Sequence, residues 1–168
     1  ALGVVAHASM KPDESTSNMK FLDSFYSERG QELLKRRVTL LHCTSEYPAP
    51  VDQLNLHAIE TLRKTFGLKI GYSDHSEGIF TAVAAAALGS VVIEKHFTLD
   101  KELEGPDHQA SLVPEELCQM VKEIRKIQLG LGDGVKKPTT SELITQQAVR
   151  KSLYARIPIK VGELFTEH

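Results

Sequence analysis

The chain contains no tryptophan and only two cysteines, Cys43 and Cys118, in 168 residues. One thiol inside an apolar run and one inside a helical pattern do not make the dense disulfide framework of a small secreted domain. They predict reduced core thiols and a cytoplasmic setting. Excess positive charge is also missing: 20 Lys and Arg stand against 22 Asp and Glu, for a formal net charge of -2. With no arginine-rich or aromatic-interleaved stripe, nucleic acid is excluded as an expected partner. No apolar run approaches the ~20 residues that a bilayer requires, and residues 1–10 lack a basic leader and a cleavage site, so no membrane partner is expected. The first residue is not Met, which leads us to expect a portion of a longer protein. What is present, 41% hydrophobic and 25% charged residues, is sufficient for a globular domain with a real core.

Along the chain, residues 1–10 read as the end of a helix. Residues 11–29 open on a polar Pro, Ser, Thr and Asn cluster that reads as a surface insertion, and residues 30–37 as a short helical turn ending in basic residues. The run VTLLHC (38–43) is apolar, β-rich and too short for a helix, so a buried strand is expected. Helical spacing of Ala58, Ile59, Leu62 and Phe66 follows in a segment opened by Asp52 and closed by Gly67. LKIGYS is the next strand, and Ile79, Ala82, Val83 and Ala86 mark a second helix stopped by Gly89. SVVIEKHF is a third strand and residues 114–129 a third amphipathic helix. Three strand-helix units with strands apolar throughout mean a parallel sheet covered on both faces. Residues 133–149 read as a linker with a short helix, and 150–168 as strands joined by a Val161-Gly162 turn.

In parallel sheets ligands sit beyond the C-terminal strand ends. There the residues are polar: His42 to Pro48, Gly71 to Ser76 and Glu94 to Thr98. His75 and His96 close adjacent strands, so their imidazoles can meet at one metal, with open positions that suit catalysis. Asp74 and Glu94 are either second ligand-shell acceptors or inward barrel residues, with the structural role favoured for Glu94. Thr44, Ser45 and Ser73 offer hydroxyls to phosphate or carboxylate oxygens, though such residues also cap helices. Asp107, in the turn at 104–108, is a candidate for binding sugar hydroxyls. Lys95 reads as snorkelling or ion-paired, His42 as buried and hydrogen-bonded or supporting the site, and His7, His57 and His168 as surface histidines.

Together, LHCTSEYPAP (41–50), GYSDHSEG (71–78), VIEKHFTLD (92–100) and GPDHQAS (105–111) resemble the N-acetylneuraminate synthase family, which includes sialic, legionaminic and pseudaminic acid synthases. RKSLYARIPIKVGELFTEH (150–168) is similar to the start of the antifreeze-like domain that follows the barrel in that family. The resemblance implies an α/β fold in which residues 1–132 are the C-terminal half of a (βα)8 TIM barrel, strands six to eight, followed by the start of a small β-rich domain. It implies a Mn2+ or Mg2+ ion on His75 and His96, where imidazole ligation alone would suggest zinc or iron. It further implies that Thr44, Ser45 and Ser73 hold phosphoenolpyruvate, that Tyr47 lines the sugar pocket, and that Asp107 contacts an N-acetylated amino sugar. His75, His96 and Asp107 are the expected catalytic residues, and the full-length protein is expected to be a homodimer.

Two other readings compete. A barrel aldolase would use Lys95 as a Schiff-base amine. A non-catalytic assembly piece would have no reason to bind metal at two rim histidines.

Overall fold

The computed structural model describes residues 1–11 and 15–164. They fall into two units, residues 1–132 and 133–168.

In the first unit a parallel sheet, in the order β1-β2-β3, is built from β1 (Thr39–Cys43), β2 (Lys69–Asp74) and β3 (Ile93–Lys95). The connections are α4 (Ala58–Phe66) after β1 and α5 (Phe80–Ala87) after β2, with α6 (Pro114–Leu131) after β3. The expected parallel α/β sheet is therefore the observed one. Among the described residues only β2 has a strand on both sides, and five of its six residues are buried. β1 differs from expectation. As an edge strand it exposes Leu41 and Cys43, so Cys43 is a free but exposed thiol, and Cys118 on α6 is exposed as well. An apolar sequence buries a strand only where neighbours exist to cover it.

β3 is shorter than SVVIEKHF suggests, although Val91 N still donates to the Ile70 carbonyl at 2.9 Å and Tyr72 N to the Val92 carbonyl at 2.9 Å. Likewise α4 begins later than Asp52. Residues Val51–Gln53 form one 3-10 turn, Asn55 takes φ 45°, and Leu54 drops into the core at 2% exposure. At the other end Gly67 adopts φ 61°, the left-handed closure its position predicts.

The core lies between sheet and helices. Leu34, Ile59, Ile70, Tyr72 and Ala85 form one cluster, and Ala82, Leu112 and Met120 a second against α6. Pro114 opens α6 as its first residue, where a missing N–H is harmless.

The N-terminal segment corrects one expectation, that of a surface His7. Beyond α1 (Leu2–Met10), residues of the expected surface insertion form α2 (Asn18–Tyr26), capped by Ser17, whose hydroxyl accepts from Lys20 N at 3.3 Å. Residues 12–14 of that stretch lie outside the described residues. α2 packs on α1 because the contact is made by small groups: a Cβ at Gly3 would stand 3.0 Å from the Phe21 carbonyl carbon. His7 is accordingly no surface histidine. It is 3% exposed, with Nδ1 3.0 Å from Ser24 Oγ and the Phe21 ring edge-on at 5.5 Å. α3 (Glu28–Arg37) is longer than predicted because Ser27 caps it, accepting from Gly30 N. His57 is exposed as expected, and His168 lies outside the described residues.

The second unit contains α7 (Thr140–Val149), with Thr139 and Glu142 forming a reciprocal cap. Val161 and Gly162 form the expected turn, Gly162 at φ 93°. No strand forms among described residues 150–164, where Leu153 and Val161 are fully exposed. An alternating sequence needs a paired neighbour to become a strand. Among the described residues no helix is long and apolar enough to cross a membrane.

Candidate functional site

Register builds the site. Tyr72 pairs with Ile93, Ser73 with Glu94 and Asp74 with Lys95. One residue further, the two strands lead into His75 and His96. Alternate side chains leave a strand on opposite faces. Ser73 and His75 thus share a face with Glu94 and His96, whereas Asp74 and Lys95 project toward α5.

On the first face, the His75 and His96 rings have centres 5.1 Å apart and planes at 81°. Tyr47 stacks on His96 at 4.1 Å and 24° and meets His75 edge-on at 5.3 Å. The Tyr47 hydroxyl donates to the Asp107 carbonyl at 3.1 Å, and the Ser111 hydroxyl donates to the same oxygen at 2.6 Å. This pins the turn that carries Asp107, whose Oδ2 lies 3.8 Å from His96 Nδ1. Both histidines are also held by their backbones: the His75 carbonyl accepts from Ala49 N at 2.8 Å, and the His96 carbonyl from Leu112 N at 3.0 Å.

The structure therefore brings His75, His96, Tyr47 and Asp107 together. Thr44 is half-buried and Ser45 exposed, just past the end of β1. Their hydroxyls make no hydrogen bond to a described residue. Ser73 is different. It is buried one pleat below His75, and its hydroxyl donates to Glu94 Oε1 at 2.6 Å. A serine has one proton to give, so a substrate oxygen can receive it only if the hydroxyl turns away from Glu94.

Two imidazoles bound to one ion at about 2.1 Å hold their ring centres roughly 4.5–5.5 Å apart, and the spacing of His75 and His96 fits this. Among the described residues no group of three or more His, Cys, Asp and Glu side chains is arranged to hold a metal ion. The histidine pair by itself would leave most positions of an ion to other ligands.

Sequence reasoning missed two neighbours. Cys43 Sγ lies 3.9 Å from both ring nitrogens of His75. Ser111 completes the Tyr47 anchor, and the only signal for it was its place at the end of GPDHQAS.

Lys95 sits on the far face, 3.0 Å from Asp74, with the two side chains 3% and 0% exposed. It also donates to the Ser76 carbonyl. An amine so held offers no approach to a carbonyl substrate, which removes the Schiff-base reading. His42 is half-buried, donates from Nε2 to the Leu54 carbonyl at 2.7 Å and stacks on Tyr72. It is a packing residue of β1.

In a parallel α/β sheet ligands bind beyond the C-terminal strand ends, and the paired histidines on that rim make it the candidate site. The chain belongs to the NeuB family, whose model matches residues 7–136. It is 54% identical over 133 residues to the N,N'-diacetyllegionaminic acid synthase of Campylobacter jejuni, covering 79% of this chain and 40% of that one. It is 41% identical over 127 residues to human N-acetylneuraminate-9-phosphate synthase, covering 75% and 35%. Among solved structures, the N-acetylneuraminic acid (sialic acid) synthetase of Leptospira borgpetersenii superposes with a TM-score of 0.62 at 35% identity, over 82% of this chain and 48% of that one. The chain thus spans about two-fifths or less of the length of these curated relatives.

Proposed function

We propose that the protein contributes this rim to a synthase that condenses phosphoenolpyruvate with N-acetylmannosamine or a related N-acetylated sugar, giving a nonulosonic acid and phosphate. The single observation that carries the reading is the perpendicular His75 and His96 pair, with Tyr47 stacked on one ring and Asp107 at its edge. Support comes also from relatives named as legionaminic, pseudaminic and N-acetylneuraminate-9-phosphate synthases.

In this reading C3 of phosphoenolpyruvate bonds to the aldehyde carbon of the open-chain sugar, water adds at C2, and phosphate leaves with cleavage of its C–O bond. His75 and His96 would hold a Mn2+ or Mg2+ ion, which when bound supplies Lewis-acid polarisation of the aldehyde. Asp107 would accept hydrogen bonds from sugar hydroxyls, and Tyr47 would wall the sugar pocket while steadying His96. Thr44, Ser45 and Ser73 would donate to oxygens of phosphoenolpyruvate. The three strands would be the sixth to eighth of a (βα)8 barrel and residues 150–168 the start of an antifreeze-like domain. The complete enzyme would be a cytoplasmic homodimer.

The test is release of inorganic phosphate from phosphoenolpyruvate by the full-length protein, with N-acetylmannosamine and Mn2+, in wild type, His75→Ala and His96→Ala. Metal-dependent release lost in both variants is the expected result. Release that survives either substitution overturns the metal assignment, and none with any N-acetylated sugar overturns the reaction.

A further inference from the structure

We propose that the buried Asp74–Lys95 ion pair is a positioning device that sets the spacing and orientation of His75 and His96; this rests on the metal reading above. The two residues are paired in the β2–β3 register immediately before the two histidines. Lys95 Nζ is bonded to the Asp74 carboxylate at 3.0 Å and to the carbonyl of Ser76. The residue preceding His96 therefore grips the residues on both sides of His75.

Asp74 is satisfied from every direction. Oδ1 accepts from Ser76 N at 2.9 Å, from the Ser76 hydroxyl at 2.7 Å and from the Tyr72 hydroxyl at 3.3 Å, while Oδ2 accepts from the Thr81 hydroxyl of α5 at 2.7 Å. The turn at 74–76 is thus fixed to α5 and to β3 together. A buried ion pair is weak evidence for stability, because desolvation offsets its attraction. Directional anchoring of two ligand-bearing backbones is what an apolar pair in the same place would not supply.

Mn2+ affinity of the full-length protein, without substrates, tests this in wild type, Lys95→Arg, the double variant Asp74→Asn/Lys95→Met, and Thr81→Val. Asn keeps an acceptor for Ser76 N, and Met fills the lysine volume, so the double variant removes the charges with little change in packing. We expect it to melt near wild type while binding Mn2+ about ten- to a hundredfold more weakly, the range for lost support around metal ligands. Lys95→Arg should recover most of that loss. Thr81→Val, which takes the α5 hydroxyl away from both Asp74 Oδ2 and the Ser76 hydroxyl, should bind measurably more weakly and decides the matter if the double variant does not fold. A folded double variant, or failing that Thr81→Val, with wild-type Mn2+ affinity overturns the proposal. If wild type binds no Mn2+, or His75→Ala binds as wild type does, the metal reading falls and this proposal with it. Binding lost in His75→Ala but intact in the positioning variants sinks the proposal alone.

Discussion

Tyr47 and His96 stack with ring centres 4.1 Å apart, while the same tyrosine's hydroxyl holds the Asp107 carbonyl. One side chain from the β1 rim thereby couples a histidine ring to the turn that carries the acidic residue. Tyr47→Phe keeps the ring contact and removes the tether. Under the proposed reaction it should raise the KM for the N-acetylated sugar with little change in melting temperature. Tyr47→Ala also removes the stacking, worth about 0.5–1.5 kcal/mol for an aromatic pair, and should lower kcat as well. Steady-state kinetics on the two variants separates the roles.

Gly71, in the middle of β2, is approached closely by the backbone of the residues leading into β3. A Cβ built there would lie 2.7 Å from the Val92 carbonyl oxygen. Backbone cannot yield as a flexible side chain can, so Gly71→Ala should destabilise the protein by about 1–3 kcal/mol, the usual range for overpacking. Urea denaturation checks this, and an unchanged midpoint would refute the tight packing of β2 on β3.

Tyr72 titrates well above its ordinary value, because burial disfavours the phenolate and the Asp74 carboxylate beside it adds to the penalty. The folded state keeps the phenol proton where the unfolded chain has lost it. Above pH of about 10 the unfolded state is therefore favoured increasingly as pH rises. Stability should be level below that pH and fall beyond it, and Tyr72→Phe should flatten the fall in an alkaline melting series.

Glu116 behaves oppositely. The hydrogen bond from Lys101, followed by that from Val113 N at the start of α6, holds its carboxyl below the usual range. Its contribution is present above the ordinary glutamate value and is lost as pH falls through the lowered one. Both partners are more than a third exposed, so the effect is small and weakened by salt. Lys101→Met should reduce the acid-side slope of stability without changing the alkaline side.

By itself the sequence determined the parallel strand-helix order, the glycine that closes α4, the proline that opens α6, and the strand-end positions of His75 and His96. These are local matters of periodicity, capping and register, and each is decided by residues a few positions apart. Tertiary structure decided the rest. Leu41 and Cys43 are exposed because no strand among the described residues lies beyond β1, and no pattern within VTLLHC reports whether a neighbour is there. His7 and residues 18–26 are drawn into packing by small residues on α1 that a polar stretch does not advertise. Lys95 and Asp74 meet only because two strands align in one register, and Tyr47 reaches Asp107 across sixty residues of chain. The strand expected after residue 150 needs a paired neighbour, which no described residue supplies. Hydrogen bonding and burial between distant segments are set by what the fold brings alongside, and that information is not carried by either segment alone.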